Sequence, residues 1–429
     1  HGNNGGEGHI AAEKLRRAGW PVAVAALAPA DALRGDAAWA ASLYEGESVL
    51  PTSGSVLDGR SLVVDGLFRA GLTRPLAGLA LGLVGEIARR GIDCVGIDIP
   101  SGIQGDSGQA LGAAPRCRLT VTFFRPKPGH LLLPGRLHCG ELVVADIGIS
   151  SRVLKGIGPR IFRNGPALWQ AAWRPARPEG HKYSRGHVLI GAGSGMTGAG
   201  RLAALAARRI GAGLVTIAAP DAGSGLALRS GEPGTIVANL SESCSFDALM
   251  GDQRRNAGLL GPGSGVSPAL QHSVLSALKS KRSLVLDADS LTVFSDEPET
   301  LFKAIVGPCL LTPHEGEFNR LFGELKDVPD KVDKVRAAAS LSGATILLKG
   351  ADTVIASPCG TTIINDNAPP SLATAGSGDV LAGFAAGLLA QTLTPLAAAA
   401  AAAWVHGNMA QRLGKQLIAE DLLRLDSLV

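Results

Sequence analysis

The chain has 429 residues, 46% hydrophobic and 18% charged, a balance that excludes a disordered or acidic-tail protein. Net charge is +4 without a run of lysines and arginines, and aromatics are 4%, so the sequence offers neither the basic stripe nor the stacking platform of a nucleic-acid binder. Glycine is the outlier at 57 residues, nearly twice its ordinary share of about 7%.

In chain order, His1 runs straight into HGNNGGEG, which reads as a processed chain or one whose true beginning lies upstream. A helical pattern follows over 10–18, then β-rich runs at 21–27, 61–64, 94–97, 119–124 and 141–144, with a second amphipathic stretch over 75–89. Alternating strand and helix patterns predict a parallel, doubly wound sheet. Residues 156–178, rich in Pro, Trp and Arg, read as a linker. Beyond it the alternation restarts, with strands predicted at 187–191, 214–218, 284–286, 309–311, 345–348, 353–356 and 361–364 and an alanine-rich helix over 198–210. The halves do not repeat each other, so the expected architecture is α/β throughout, as a fusion of a domain over 1–155 and another over 179–429.

The six cysteines include no CxxC pair, which argues against a zinc knuckle and for reduced, mostly buried thiols in a cytoplasmic protein. The alanine run 396–405 falls short of the roughly 20 apolar residues of a membrane span and reads as a buried helix. The expected partners are therefore small molecules, with no nucleic acid and no membrane, in a chain expected to form a homo-oligomer.

Glycine-rich turns carry the chemistry. Ala375-Gly376-Ser377-Gly378-Asp379 leads into an apolar helix, so outward-facing backbone N–H groups and the helix dipole would form an anion hole. Asp379 either caps that helix or accepts a proton from a substrate hydroxyl. Gly191-Ala192-Gly193-Ser194-Gly195 and Gly261-Pro262-Gly263-Ser264-Gly265 follow apolar runs, either as ligand-approaching turns or merely as tight connections. Asp287 and Asp289 stand at a strand end, where α/β ligand sites lie.

In the first half, GNNGGEG lacks the Lys-Ser/Thr of a Walker A loop, so nucleotide hydrolysis is not implied. Its glycines and asparagines offer bare backbone and amide oxygens suited to a phosphate or an alkali cation. Asp65 and Asp98 end strands and either cap turns or converge at one rim of the sheet.

Taken together and in order, HKYSRGHVLIGAGSGMTGAG, GPGSG, LVLDADSL, LTPHEGEF, LLKGADTVIASP and ATAGSGDVLAG resemble the ADP- or ATP-dependent NAD(P)H-hydrate dehydratases, which are ribokinase-like. The resemblance implies dehydration of the S form of hydrated NADH or NADPH (NADHX, NADPHX) at the expense of ADP, or of ATP, with Mg2+. It implies that Asp379 is the base, that Ala199, Gly265, His314 and Asp379 contact the hydrate, and that Lys349, Gly350, Ala351, Asp352, Thr353 and Gly378 hold the nucleotide. The competing readings of His314 and Lys349 are a satisfied buried histidine and a surface lysine. Departures are Pro369-Pro370-Ser371 for the usual NPG and AGSGD for GGTGD. The turn at Asp379 also allows a kinase of a vitamin or sugar hydroxyl, the alternative reading.

GNNGGEGHIAAEKL, VVDGLFRAGLTRPL, GIDIPSGI and VTFFRPKPGHLLLPG resemble the NAD(P)H-hydrate epimerases, whose fold is Rossmann-like. This implies interconversion of R and S hydrates. The implied hydrate contacts are Asn3, Asn4, Gly5, Gly6, Glu7, Arg69, Ala70, Gly71, Leu72, Thr73, Arg74, Pro75 and Asp98. Asn4, Asp65 and Ser101 are the implied K+ ligands, all oxygen donors as a hard cation prefers. The family's first helices and strand are absent ahead of the loop, Glu7 replaces an Asp, and Gln104 stands where many members carry an acid. A glutamine cannot serve as a general base, so an impaired epimerase is the expectation.

Overall fold

Two units make up the chain, His1–Pro159 and Arg160–Val429. The structure is a computed structural model and describes residues 3–173 and 178–425. Both units are α/β.

In the first unit, β1 (Ala23–Ala25) and β2 (Glu47–Val49) form a parallel pair. β3 (Leu62–Asp65), β4 (Asp93–Ile97), β5 (Leu119–Phe123) and β6 (Glu141–Ala145) form a four-stranded, all-parallel sheet in that order. Three adjacent strands therefore deliver Asp65, Asp98 and the segment after Phe123 to one rim. The helix Gly78–Arg90 puts Ala80, Leu83, Val84 and Ile87 inward at helical spacing and ends on Gly91 at φ 63, a left-handed stop that glycine adopts without strain. The glycine-rich start is not a loop: a helix already runs over Asn3–Arg17. Tertiary packing overrides the poor helix propensity of glycine, since a Cβ on Gly6 would stand 3.2 Å from Ala37 Cα in the helix Gly35–Ser42.

The second unit holds a ten-stranded sheet. Its strands are β7 (Ile161–Arg163), β8 (His187–Gly191), β9 (Leu214–Ala219), β10 (Ile236–Asn239), β11 (Ala257–Leu260), β12 (Ser283–Leu286), β13 (Cys309–Leu311), β14 (Thr345–Leu348), β15 (Thr353–Ala356) and β16 (Thr362–Asn365). The order is β10-β9-β8-β11-β12-β13-β14-β15-β16-β7, and only β15 runs antiparallel to its neighbours. The stretch 156–178 is not simply a linker. Ile161, Phe162 and Arg163 pair with β16, and Trp169 is buried against Trp404 with its indole N–H on Asn164 Oδ1 at 3.2 Å.

The helix Ser377–Ala390 is apolar nearly all round because it is enclosed on every side. Its contact with the helix Thr197–Arg209 is built on small residues one turn apart. A Cβ on Gly383 would overlap the Ala203 carbonyl oxygen, and one on Gly387 would stand 2.6 Å from that of Ala207. The alanine run lies inside the helix Pro395–Leu413, with Ala398–403 buried in the core. Among the described residues no helix is long and apolar enough to cross a membrane. Cys94, Cys117, Cys139 and Cys309 are buried free thiols, Cys244 is half-buried and Cys359 exposed.

Candidate active sites

β8, β11, β12, β13 and β14 are neighbours and parallel, so the segments leaving their C-terminal ends share one rim of the second sheet. Those segments are 191–195, 261–265, Asp287 to Asp289, Pro313 to His314, and Lys349. The first two pack backbone to backbone. A Cβ on Gly193 would overlap the Gly263 carbonyl oxygen, and one on Gly263 would stand 3.1 Å from the Ala199 methyl. Ala199 is thus buried beneath the GPGSG loop. Gly193→Ala is expected to force the two loops apart at a cost of roughly 1–3 kcal/mol, measured as a lower melting midpoint.

Lys349 links the acids of this rim. Its Nζ donates to Asp287 Oδ1 at 2.7 Å and lies 3.8 Å from Glu317 Oε2, while Asp287 is only 3% exposed on its side chain. Burial works against the ammonium charge, but Asp287 and Glu317 outweigh it and hold the Lys349 pKa above the usual lysine value. It is not a surface lysine. Asp379 opens the Ser377–Ala390 helix, whose preceding residue Gly376 takes φ 83. A Cβ on Gly378 would come within 3.7 Å of Lys349 Nζ, so the helix start faces that ammonium. Burial, then the nearby Asp287 carboxylate, push the Asp379 pKa up to about 6, against the pull of Lys349.

His314 is not a buried histidine. Its side chain is 54% exposed, and its Nδ1 accepts the N–H groups of Gly316 and Glu317 at 2.9 and 3.3 Å, capping the helix Glu315–Leu321. Gly265 is exposed and donates its N–H to Asp289 Oδ2 at 2.8 Å. The segment from Lys349 to Thr353 is a tight turn. Gly350 N–H and carbonyl both bond Thr353 Oγ1, and Lys331 Nζ pairs with the buried Asp352 at 2.6 Å. Asp352 and Thr353 therefore spend their side chains on the turn. Ala351 is half-buried within it.

Three features of this rim escape sequence reasoning. Glu317 reaches Lys349 and accepts the His314 backbone N–H at 2.8 Å. Ala288 sits at φ 49 between the two acids, a strained geometry for a residue with a Cβ and one that clusters at functional sites. Buried His406 places Nε2 3.0 Å from the Ser377 carbonyl oxygen and 3.1 Å from its Oγ. Burial brings the His406 pKa down to about 4, so it braces the first turn of the Asp379 helix as a neutral ring.

In the first unit the structure joins Glu7, Arg69 and Asp98 and adds Lys127. Arg69 donates to Glu7 Oε1 at 2.5 Å, and Glu7 Oε2 is buried with no partner among the described residues. Burial raises the Glu7 pKa despite Arg69. Lys127 Nζ donates to Asp98 Oδ1 at 2.5 Å and to Thr122 Oγ1 at 2.7 Å. Burial opposes the Asp98 charge, yet Lys127 and Thr122 prevail and leave its pKa below the usual value. Asp65 and Ser101 form a second cluster: the Ser101 hydroxyl and N–H both donate to the Asp65 carboxylate, at 2.6 and 2.7 Å. Burial raises the Asp65 pKa.

Gly5 and Gly6 are helical, and the side chains of Asn3 and Asn4 lie outside the described residues. Ala70 is held by its carbonyl, which accepts Gly105 N–H at 3.0 Å. Gly71, Thr73, Arg74 and Pro75 are exposed around half-buried Leu72. Gln104 Oε1 accepts the Ser107 hydroxyl at 2.5 Å.

Comparison with known proteins agrees for both units. Residues 187–426 match the family model for NAD(P)H-hydrate dehydratase, and residues 1–129 match that for the YjeF-related protein N-terminus. The chain is 36% identical to the bifunctional NAD(P)H-hydrate repair enzyme Nnr of Moorella thermoacetica, over 98% of this chain and 84% of that protein. The Salinibacter ruber enzyme of the same name gives the same identity and coverage. Among solved structures, the ADP/ATP-dependent NAD(P)H-hydrate dehydratase of Bacillus subtilis, co-crystallised with ATP/Mg2+, is 27% identical with a TM-score of 0.52, covering 59% of this chain and 91% of that one. A ribokinase-like superfamily protein from Enterococcus faecalis, 24% identical over 61% of this chain and 93% of that one, has a TM-score of 0.55 and shares the fold. A rim of glycine turns around Asp379 and Lys349, an Asp98 cluster on a separate parallel sheet, and relatives matched across nearly the whole chain agree: this protein belongs to the family of bifunctional NAD(P)H-hydrate repair enzymes.

Proposed function

We propose that the second unit dehydrates the S hydrates of NADH and NADPH at the expense of ADP, and that the first unit interconverts the R and S hydrates. The observation that carries the first activity is Asp379, a carboxylate with a raised pKa at a helix start that faces the half-buried Lys349 ammonium. Hydroxide is a poor leaving group, so the ring hydroxyl has to be phosphorylated before it departs. Its oxygen attacks the terminal phosphorus of ADP, Asp379 takes the hydroxyl proton, and the bond to the bridging oxygen breaks to release AMP. Phosphate then leaves the ring carbon with the bonding electron pair, the neighbouring carbon loses a proton, and the double bond of the dihydronicotinamide returns. Lys349 and the N–H groups around Gly378 balance the charge that moves onto phosphate oxygens. The turn from Lys349 to Thr353 is the proposed seat of the nucleotide, and His314, Gly265 and Ala199 border the proposed hydrate position.

Mg2+ takes about one or two carboxylates plus phosphate oxygens and waters rather than a protein cage. Asp289, half-buried and in electrostatic range of Asp379, meets that need, and Mg2+ held there would neutralise phosphate charge. In the first unit, K+ fits the buried Asp65 carboxylate, whose hydrogen-bond partners Ser101 and Leu67 are neutral donors that leave its charge unbalanced. The kinase alternative is not favoured, because relatives over nearly the whole chain are hydrate repair enzymes.

Equal amounts of AMP, phosphate and restored NADH from ADP and S hydrate would support this reading, and ADP consumption without NADH would sink it. The pH profile is a second check. Asp379 must be ionised to take a proton, so kcat/KM for the S hydrate should rise tenfold per pH unit below about 6 and level off above it.

A further inference from the structure

We propose that Lys127 is the proton-transferring group of hydrate epimerisation in the first unit, an inference that rests on reading that unit as the epimerase. The geometry around it is over-determined. Thr122 Oγ1 donates to Asp98 Oδ1 at 3.0 Å while accepting from Lys127 Nζ, which itself donates to the same carboxylate oxygen. His130 joins the two backbones: its Nδ1 accepts Lys127 N–H at 2.9 Å, so Nε2 carries the hydrogen and donates to the Asp98 carbonyl oxygen at 2.8 Å. Burial holds the His130 pKa below its ordinary value, which leaves it a neutral brace. Asp98 itself is bent to φ 67, a conformation with a steric cost for a residue that has a Cβ.

Stability alone does not account for this arrangement. Burying an ion pair costs desolvation that its attraction seldom repays, and here the pair adds backbone strain. Lys127 keeps 28% of its side chain exposed, and Asp98, 8% exposed, anchors its ammonium. Glu7 Oε2, buried and without a partner among the described residues, lies in electrostatic range of both.

The chemistry needs one donor that becomes an acceptor. The hydrate bears its hydroxyl on the carbon bonded to the ring nitrogen, and changing face requires that C–O bond to break. Lys127 Nζ–H gives its proton to the hydroxyl oxygen, the C–O electron pair leaves with oxygen as water, and the nitrogen lone pair closes a C=N+ bond. Water then adds to the opposite face, the C=N electron pair returns to nitrogen, and the extra proton passes to the neutral Lys127 amine. Asp98 holds the Lys127 side chain in place, and Glu7 offsets the iminium charge. Gln104 takes no part in this scheme, so its lack of an acidic group does not bear on turnover.

The test uses the full chain, R hydrate and isotopically labelled water, without ADP so that no hydrate is drained away. Wild type should convert R to S faster than buffer alone and place label in the hydroxyl. Lys127→Met should lower both by on the order of 10²-fold or more, to the spontaneous rate. Lys127→Arg keeps a cation beside Asp98 but does not release a proton near neutrality, and should stay as slow. A wild-type rate in Lys127→Met, or recovery in Lys127→Arg, overturns the proposal; the second outcome would leave Lys127 as a charge alone. Wild-type conversion no faster than buffer would instead remove the epimerase reading itself. Because dehydration belongs to the other unit, a wild-type melting transition and circular dichroism spectrum of the full chain report that each variant's first unit, residues 1–159, is folded.

Discussion

Asp379→Asn is expected to lower kcat for S-hydrate dehydration on the order of 10²–10⁴-fold while raising the melting midpoint. The two effects share a cause. Asp379 is a carboxylate that burial and Asp287 disfavour in its charged form. Its native pKa of about 6 lies above its ordinary value of 3.8. The stabilisation that the raised pKa represents is present below the lower value and is lost as pH rises through the upper one. At neutral pH the native state therefore carries an unfavourable charge, which the amide removes together with the base. A variant that loses both activity and stability would make Asp379 a structural cap, the bland reading of its position. The stabilisation should also fade in acid, where the aspartate is already protonated, so thermal melts at two pH values separate charge removal from a packing change.

Lys349→Met should be the most damaging single change in the second unit. It removes the ammonium from Asp287, which is 3% exposed, and from Glu317, leaving buried carboxylates without a counter-charge. Breaking a buried pair in this way costs roughly 3–5 kcal/mol. The same change removes a cation facing the start of the Asp379 helix, so KM for ADP should rise. The double variant Asp287→Asn with Lys349→Met separates the two roles. It no longer buries the Asp287 charge, so much of the stability should return while ADP affinity stays low. Recovery of both in the double variant would confine Lys349 to a structural part.

The sequence makes the architecture legible where apolar runs are long enough to show a period. β8, β13, β14 and β15 fall where apolar patterning puts them. β7 and β11 are hidden because three residues, or four that include a glycine, carry no period of their own. Only their pairing with β16 and with β8 and β12 makes them strands. The GNNGG start reads as a loop on local propensity and folds as a helix because Gly6 packs tightly on a neighbouring helix. The linker reading of 156–178 fails for a related reason: Trp169 looks like part of a Pro- and Arg-rich connector until Trp404, far along the chain, is found against it.

The sites divide the same way. Asp379 and the glycine turns are local patterns, visible because backbone approach to an anion demands small residues at fixed spacing. The groups that tune them are not local. Glu317 reaches Lys349 from the helix after β13, His406 braces Ser377 from the last long helix, and Lys127 meets Asp98 from 29 residues away. A lone lysine before proline and a lone histidine in an alanine run carry no pattern that sequence alone can weigh.

Under the proposed function, the second unit consumes ADP to restore NADH from its S hydrate. The direct measurement is the return of dihydronicotinamide absorbance when S hydrate, Mg2+ and the full chain are mixed with ADP, with ATP, and with no nucleotide. Absorbance should recover with ADP, not without nucleotide, and not with ADP in Asp379→Asn. Recovery that needs no nucleotide, or no recovery with ADP, would contradict that function.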